Sequence, residues 1–429
     1  MNLLRGAMPR YEAYKDSGVE WLGEIPEHWE IKKLKFEDKV NMGQSPDSEE
    51  CNTEQIGMPF LQGNAEFGKL NPEPKMWCIK PKKIAGKGDI LLSVRAPVGG
   101  LNIADRNLGI GRGLCAITPS IACTHFKLYQ IVCIEKELHK LCTGSTFEAI
   151  SISDINNLIL PIPPLNEQTA ITAFLDRKTA KIDQAIAIKE KQIDLLKERK
   201  QILIQNAVTR GLDPGAPMRD SVVEWIGEIP AHWDMMRVKH LFRLVMEPSE
   251  KNNNHELLSI YTDIGVKPRR ELEERGNRAT TTDGYWLVKK GDFIVNKLLA
   301  WMGAIGLSGY EGVTSPAYDI LRPMKPLEGY FYHYLFRTKA CSSELKRHSR
   351  GIMEMRLRLY FDKFGVLEVP YPSKKEQTAI VAHIETQSTK IDKAIVLQQQ
   401  QIEKLKEYKA TLINSAVTGK IKVLAGAHA

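Results

Sequence analysis

The sequence predicts an α+β protein in which two globular domains are separated by two long helices that pair as an antiparallel coiled coil. Three observations predict it. A helical block of 44 residues occurs twice, a tryptophan-bearing block of 14 residues occurs twice, and the segments between these repeats differ. The resulting order is arm, globular domain, long helix, then the same again, which makes the chain an internal pseudo-twofold duplication. Its boundaries fall at 1–165 (arm and first globular domain), 166–210 (first helix), 211–374 (second arm and domain), 375–420 (second helix) and 421–429 (tail). A unit of this length is too long for a solenoid repeat.

Each arm is the block DSGVEWLGEIPEHW at residues 16–29, returning as DSVVEWIGEIPAHW at residues 220–233 with 11 of 14 positions identical. Pro26 and Pro230 interrupt regular structure, while Trp21, Trp29, Trp225 and Trp233 offer large apolar anchors. An extended arm packed on a neighbouring surface fits this composition better than exposed rings stacking on bases.

The globular segments, about 30–165 and 234–374, contain short apolar runs that read as strands. These are residues 59–62, 90–95 and 158–162, then 257–262, 293–297 and 366–369, several of them preceded by glycine turns. Gly88-Asp89 before one run echoes Gly291-Asp292 before another. One helical stretch is expected in each segment, at residues 124–141 and 329–348.

Residues 166–209 and 375–418 share 22 of 44 positions without a gap. In the first copy Ile171, Leu175, Ile182, Ile186, Ile193, Leu196, Leu203 and Ala207 step by 4, 7, 4, 7, 3, 7 and 4, and the second copy repeats these steps. Such spacing lays a narrow apolar stripe along a helix of about 66 Å, which needs a partner stripe. The other copy supplies it. Prolines at 161, 163 and 164, and at 370 and 372, mark the helix entries. Ser373 to Glu376 reads as a capping box, and Gly211 with Pro214, and Gly419, mark the ends.

Composition narrows the classes. The chain is long enough for two to three ordinary cores. The +8 charge is uneven: residues 1–209 hold 27 basic and 26 acidic side chains, and the remainder hold 33 and 26. That excess favours an anionic partner. No apolar run approaches the ~20 residues of a spanning helix, so no membrane contact is expected. The N-terminus lacks a signal-peptide core, and Met8 is an alternative start to Met1. Six of the seven cysteines lie in the first half without a C-x-x-C pair, which argues against a zinc ribbon or disulfide framework and fits a reducing cytoplasm.

Motifs of catalysis are sparse. Residues 109–113, GIGRG, lack the helix and acidic partner of a nucleotide fold and read as a glycine turn. No phosphate loop occurs. The PIPP at 161–164 lacks the amide and aromatic residue of an amino-methyltransferase motif. Asp47, Glu73 and Lys75 can be forced into a metal-nuclease pattern, but Pro74 spoils the strand it requires. The histidines show no metal spacing, and no cofactor is expected.

Polar and basic clusters carry more. In the first domain they are Gln62, Asn64, Arg95, Arg112, Ser145 and Thr146. In the second they are Asn296, Lys297, Tyr318, Arg350, Arg356 and Arg358, the three arginines lying in a dense basic run. Arg, Asn and Gln read base edges, whereas Lys, Ser and Thr settle on phosphates. Taken singly, each reads more readily as ordinary charge or polarity on a solvated loop.

The arrangement resembles the specificity subunits of type I restriction–modification systems over essentially the whole length. The resemblance rests on the WLGEIPEHW-like arms, on PIPPLNEQTAI and VPYPSKKEQTAI at the helix entries, on KIDQAI with KIDKAI, and on AVTRGL with AVTGKI at the helix ends. It implies a non-catalytic subunit whose two domains each read half of a split site on double-stranded DNA. It also implies helices that set the spacing and dock two methyltransferase subunits, with restriction subunits joining through them. The candidate DNA contacts come from side-chain chemistry, because the family motifs do not assign them. A coiled-coil scaffold and a self-contained metal-dependent nuclease are the alternatives.

The stripe requires Ile182, Ile193, Ile391 and Ile402 to be buried. Loss of one large buried aliphatic side chain costs ~1.5–3 kcal/mol, so Ile193→Asp is expected to lower the denaturation midpoint of the whole chain. An unchanged midpoint in a urea titration would refute the stripe.

Overall fold

The computed structural model describes residues 9–120, 123–142, 149–271, 281–351 and 356–423. It divides into two compact units, residues 1–189 with 400–429, and residues 190–399.

In the first unit the arm forms a small hairpin rather than a simple extended segment, Tyr14–Asp16 pairing antiparallel with Glu24–Pro26. Beyond it Trp29 is fully buried. Strand Glu30–Lys33 then pairs with Ile159–Ile162, so the domain closes where it opened and delivers the chain into the first long helix, Leu165–Arg210.

Between these strands the first domain is layered. A four-stranded antiparallel sheet runs in the order Leu101–Ile103, Ile90–Ser93, Leu114–Pro119, Asp38–Met42. Ile90–Ser93 is buried along its whole length, and its alternation explains why. Ile90 and Leu92 face a cluster with helix residues Ile131 and Leu138, while Leu91 faces a second cluster with Leu61, Leu108 and Ile110. The second cluster belongs to a five-stranded sheet ordered Cys51–Asn52, Met76–Cys78, Met58–Leu61, Leu108–Ile110, Ile84–Ala85. Where one helix was expected at 124–141 there are two, Thr124–Cys133 and Glu135–Leu141, because Ile134 leaves helical geometry at φ −96° and ψ 9°.

The second unit repeats the plan. Hairpin Met218–Asp220 with Glu228–Pro230, buried Trp233, and the pair Asp234–Arg237 with Glu368–Tyr371 lead into the second long helix, Lys374–Val417. That last strand begins two residues later than the sequence pattern suggested. The central sheet, Phe242–Val245, Tyr318–Pro323, Phe293–Asn296, Ile305–Leu307, has the strand order of the first domain. Here too the expected single helix splits, into Gly329–Phe336 and Lys339–His348, with the Thr338 side chain capping the second.

Each unit contains a stretch of both long helices. In the first, Ile171, Leu175 and Ile182 pack with Leu412, Ile413 and Ala416, and Lys409 Nζ reaches both oxygens of Asp183 at 2.7 and 2.8 Å. Lys189 also bonds Gln401. Later residues of one helix thus meet earlier residues of the other, which is antiparallel pairing. In the second unit Lys200 Nζ bonds both oxygens of Asp392 at 2.8 Å. Asp183 and Asp392 are the same repeat position, as are Lys200 and Lys409, so one contact is made twice with its partners exchanged. Ile182, Ile193, Ile391 and Ile402 are all buried.

The repeats also explain the punctuation. In the first unit Glu167, in the first turn of its helix, accepts from Trp29 Nε1 at 3.0 Å and Tyr11 Oη at 2.7 Å, with His28 Nε2 at 2.6 Å. Burial works to raise its pKa, but these donors outweigh it and hold the carboxyl below its ordinary value. Glu376 does the same for Trp233 Nε1 at 2.8 Å and His232 at 3.1 Å. The expected capping box is therefore half made. Ser373 Oγ accepts from Glu376 N at 3.3 Å, but the Glu376 carboxylate is spent on the arm. The next residues, Gln168 and Gln377, donate to the carbonyls of Pro163 and Pro372. At the helix ends Gly419 (φ +73°) lies against Trp29 and Pro26, and Gly211 (φ +73°) against Trp233 and Pro230. A left-handed residue under an indole has no room for a side chain.

One core contact differs between the domains. Lys127 Nζ lies 2.9 Å from Asp38 Oδ2, both side chains 1% exposed and short of well-directed hydrogen bonds. Burial raises the Asp38 pKa against the pull of Lys127. At the equivalent positions the second domain has Phe242 and Tyr332, packed edge to face at 5.5 Å. Removing one partner of a buried ion pair costs ~3–5 kcal/mol, whereas replacing both with apolar side chains is often neutral or stabilising. Lys127→Met alone should therefore sharply lower the urea midpoint, and Asp38→Leu with Lys127→Met should recover most of the loss. A double variant no better than the single would refute this account.

Candidate nucleic-acid interface

Four loops of the first unit converge at one end of its two sheets. Gly43 N bonds Leu114 O at 2.9 Å, and Gln44 N bonds Ile110 O at 3.0 Å. Gly111 N bonds Leu61 O at 2.8 Å, Gly113 N bonds Gln62 O at 3.2 Å, and Val94 N bonds Gly113 O at 3.0 Å. The glycines at 43, 111 and 113 permit this crossing. A Cβ on Gly111 would meet the Gln62 side chain at 2.5 Å and its Cα at 2.9 Å, one on Gly113 would meet Gln62 O at 2.6 Å, and one on Gly43 would strike Gly111 O. The G-x-G-x-G run is a backbone crossing point.

This convergence gathers four of the residues singled out from the sequence. Gln62 is exposed and donates to Ser45 Oγ at 3.0 Å, and Asn64 donates to Pro97 O at 3.3 Å. Arg95 and Arg112 are exposed and form no ion pair with any described residue. Gln44 and Ser45 join the group. Nothing local in the sequence marked them, because they arrive through the crossing of Gly43 and Gly111. Ser145 and Thr146 lie outside the described residues.

The second unit presents a corresponding place. Leu359 N bonds Lys297 O at 2.8 Å, just as Ile150 N bonds Val94 O at 3.0 Å in the first. This pairs Lys297 with Val94 and sets Leu298 where the first domain has Arg95. Arg350 and Arg358 exchange backbone hydrogen bonds of 2.9 Å, closing a loop that carries exposed Arg356. Arg356 and Arg358 form no ion pair with any described residue, and Arg350 lies 3.7 Å from Asp362 in a largely exposed contact worth little.

Three candidates here are engaged or partly buried by their surroundings. Asn296 is 8% exposed, and its Oδ1 accepts from Leu298 N at 3.1 Å, so it shapes the turn and does not face outward. Lys297 Nζ is engaged by Asp319 Oδ1 at 3.0 Å. Tyr318, opposite Asn296 in the sheet, is partly buried, and burial raises its pKa. Asn296 and Tyr318 lie opposite one another on paired strands of the sheet. Within the basic run, Arg347 pairs with Glu344 at 2.7 Å, and Lys346 sits 5.0 Å over the Trp301 ring.

Among the described residues no three His, Cys, Asp or Glu side chains converge as a metal site. Asp47, from the forced nuclease pattern, is paired with Lys82 at 3.0 Å. No helix among them is long and apolar enough to cross a membrane.

Gly111→Ala should force Gln62 and its loop aside, costing roughly 1–3 kcal/mol as overpacking does. Thermal melts of the variant check this, and an unaltered melt would show that the crossing has slack.

Comparison with known proteins agrees with this architecture. Residues 26–198 match the family described as type I restriction modification DNA specificity domain. The putative type I restriction enzyme MjaX specificity subunit of Methanocaldococcus jannaschii is 39% identical over 203 residues, 46% of each chain. The MjaIX specificity subunit of the same organism is 26% identical over 262 residues, 58% of each chain. The chain thus spans about half the length of the curated relatives it matches. In fold it is similar to a chain solved in work on complex assembly and conformational transition of the type I R-M system, with a TM-score of 0.68, 16% identity, and 92% and 98% of the two chains covered. The HsdS subunit from Thermoanaerobacter tengcongensis gives a TM-score of 0.52 at 16% identity over the same shares. Residues 26–198 thus match a type I restriction modification DNA specificity domain, about half of the chain is similar to a putative type I restriction enzyme specificity subunit, and the fold is similar to that of the solved chains.

Proposed function

We propose that this chain is the DNA-recognition subunit of a type I restriction–modification complex. Each globular domain, about 30–165 and 234–374, reads one half of a split site on double-stranded DNA. The long helices dock two methyltransferase subunits, and restriction subunits join through these. The chain itself supplies no catalysis. The observation that carries the reading is one sheet plan presenting the same loop pair in both units, with exposed arginines on each and different side chains around them. A fixed frame with varied, cationic loops is what reading two different half-sites asks of a protein.

Recognition should then be modular. Methylome sequencing of a host expressing the whole complex gives the split target. Exchanging residues 234–374 for the equivalent domain of a relative should change one half-site and preserve the other. The unread gap should persist, since helix length is untouched. Within the second domain, alanine at Arg358 or Arg356 should relax one base position by ~1–3 kcal/mol if the guanidinium reads a guanine edge. If it sits on phosphate, binding should weaken on all sequences and the salt slope should fall. Unchanged affinity, salt slope and target with Arg350, Arg356 and Arg358 all replaced would overturn the assignment of this loop.

A further inference from the structure

We propose that the second domain reads the 5-methyl group of thymine with Leu298, Leu299 and Met302, which makes part of its half-site an apolar readout where the first domain's is polar. This rests on the recognition role proposed above.

These three side chains are 39%, 39% and 51% exposed, and neighbouring Tyr360 is 42% exposed. They do not dangle. The turn Ala300–Met302 is pinned from below, with Ala300 fully buried and Trp301 packed on the main core of the unit. Trp301 Nε1 donates to Leu298 O at 3.0 Å, Leu298 N bonds the buried Asn296 side chain, and Met302 N bonds Leu299 O at 2.9 Å. Lys346 covers the free face of the indole. Gly303, at φ +94°, closes the turn and returns the chain to the sheet. The anchoring residues are thus turned inward, and the two leucines and the methionine are held outward on a stiff support.

Charge indicates what meets them. The backbone bond between Leu359 and Lys297 sets this turn beside the loop bearing Arg350, Arg356 and Arg358. An apolar centre with a guanidinium rim suits a duplex groove, in which phosphates flank the base edges. In the major groove the apolar feature of a base edge is the thymine methyl. At the corresponding position the first domain has Arg95, with Gln62, Asn64 and Arg112 close by, all of them hydrogen-bonding groups.

The test uses the full complex with its methyltransferase subunits and the split target found by methylome sequencing. Each thymine of the second half-site is replaced in turn by deoxyuridine, which removes only the methyl group. At one or more positions affinity should fall about fourfold, the value of burying one methyl group. Leu298→Ala, Leu299→Ala or Met302→Ala should weaken the thymine duplex to a similar extent and become indifferent to deoxyuridine. The first half-site should be insensitive to all three variants. A second half-site without thymine, or one indifferent to deoxyuridine in the unaltered protein, would overturn the proposal while leaving the recognition role standing. Variants that lose methyltransferase subunits but keep the deoxyuridine effect would reassign the patch to a protein partner. A complex that methylates no defined split site would instead overturn the recognition role itself.

Discussion

The hydrogen bond from a buried indole to a glutamate in the first turn of a long helix is the contact on which the rest depends. Trp29 to Glu167 and Trp233 to Glu376 each join an arm to a helix start, and the same indole seats the glycine that ends the other helix. A carboxylate there is favoured by the helix dipole and by the free amides of the first turn. Being also the acceptor for an indole, a histidine and, at Glu167, a tyrosine, it cannot move without leaving several donors unpaired. Each arm therefore fixes one helix beginning and one helix ending within its own unit. A narrow apolar stripe, which by itself allows helices to slide by a turn, is held in register by this clasp and by the pairs Asp183–Lys409 and Lys200–Asp392.

Because the frame is fixed at these points, the domains between them have diverged. The central sheet keeps its strand order in both, and Asp89 and Asp292 each accept a backbone N–H three residues earlier in the turn before their strand. Elsewhere the chemistry differs. One core holds a lysine–aspartate pair where the other holds two aromatic rings, and a five-stranded sheet in one is replaced by two separate strand pairs in the other. Both solutions satisfy the same requirement, an inner sheet face covered by helices and an outer face covered by more strands.

Legibility in the sequence follows the same division. The helices, arms, entry prolines and closing glycines were readable because a repeat reveals which residues are constrained together, and a stripe with steps of three, four and seven has one structural meaning. The strands Ile90–Ser93 and Phe293–Asn296 were readable from apolar runs behind glycine. What escaped was long-range. Gln44 and Ser45 reach Gln62 only through the crossing of Gly43 and Gly111, and no local pattern encodes that meeting. Asn296 and Lys297 looked like surface groups because their ties, to a backbone amide in the turn and to Asp319, exist only once the sheet is folded. The split helices at Ile134 and Thr338 are departures from periodicity of one or two residues, below what an apolar pattern resolves.

This division has a physical consequence for how the exposed loops tolerate substitution. Loops that hang from a glycine crossing or a seated tryptophan contribute little to the core: Arg95, Arg112, Leu298 and Arg356 are all partly or largely exposed, and substitution there leaves buried area nearly intact. Substitutions at surface positions of this kind usually fall within about 0.5 kcal/mol, small against the 5–15 kcal/mol of a folded domain. The supports are different. Gly111, Ala300, Trp301 and Asn296 touch backbone or core, so they hold their neighbours whatever those neighbours present. On the recognition role proposed above, the exposed side chains can therefore vary at low cost because the residues that position them are held by core and backbone, and this separation lets one duplicated frame present two different surfaces.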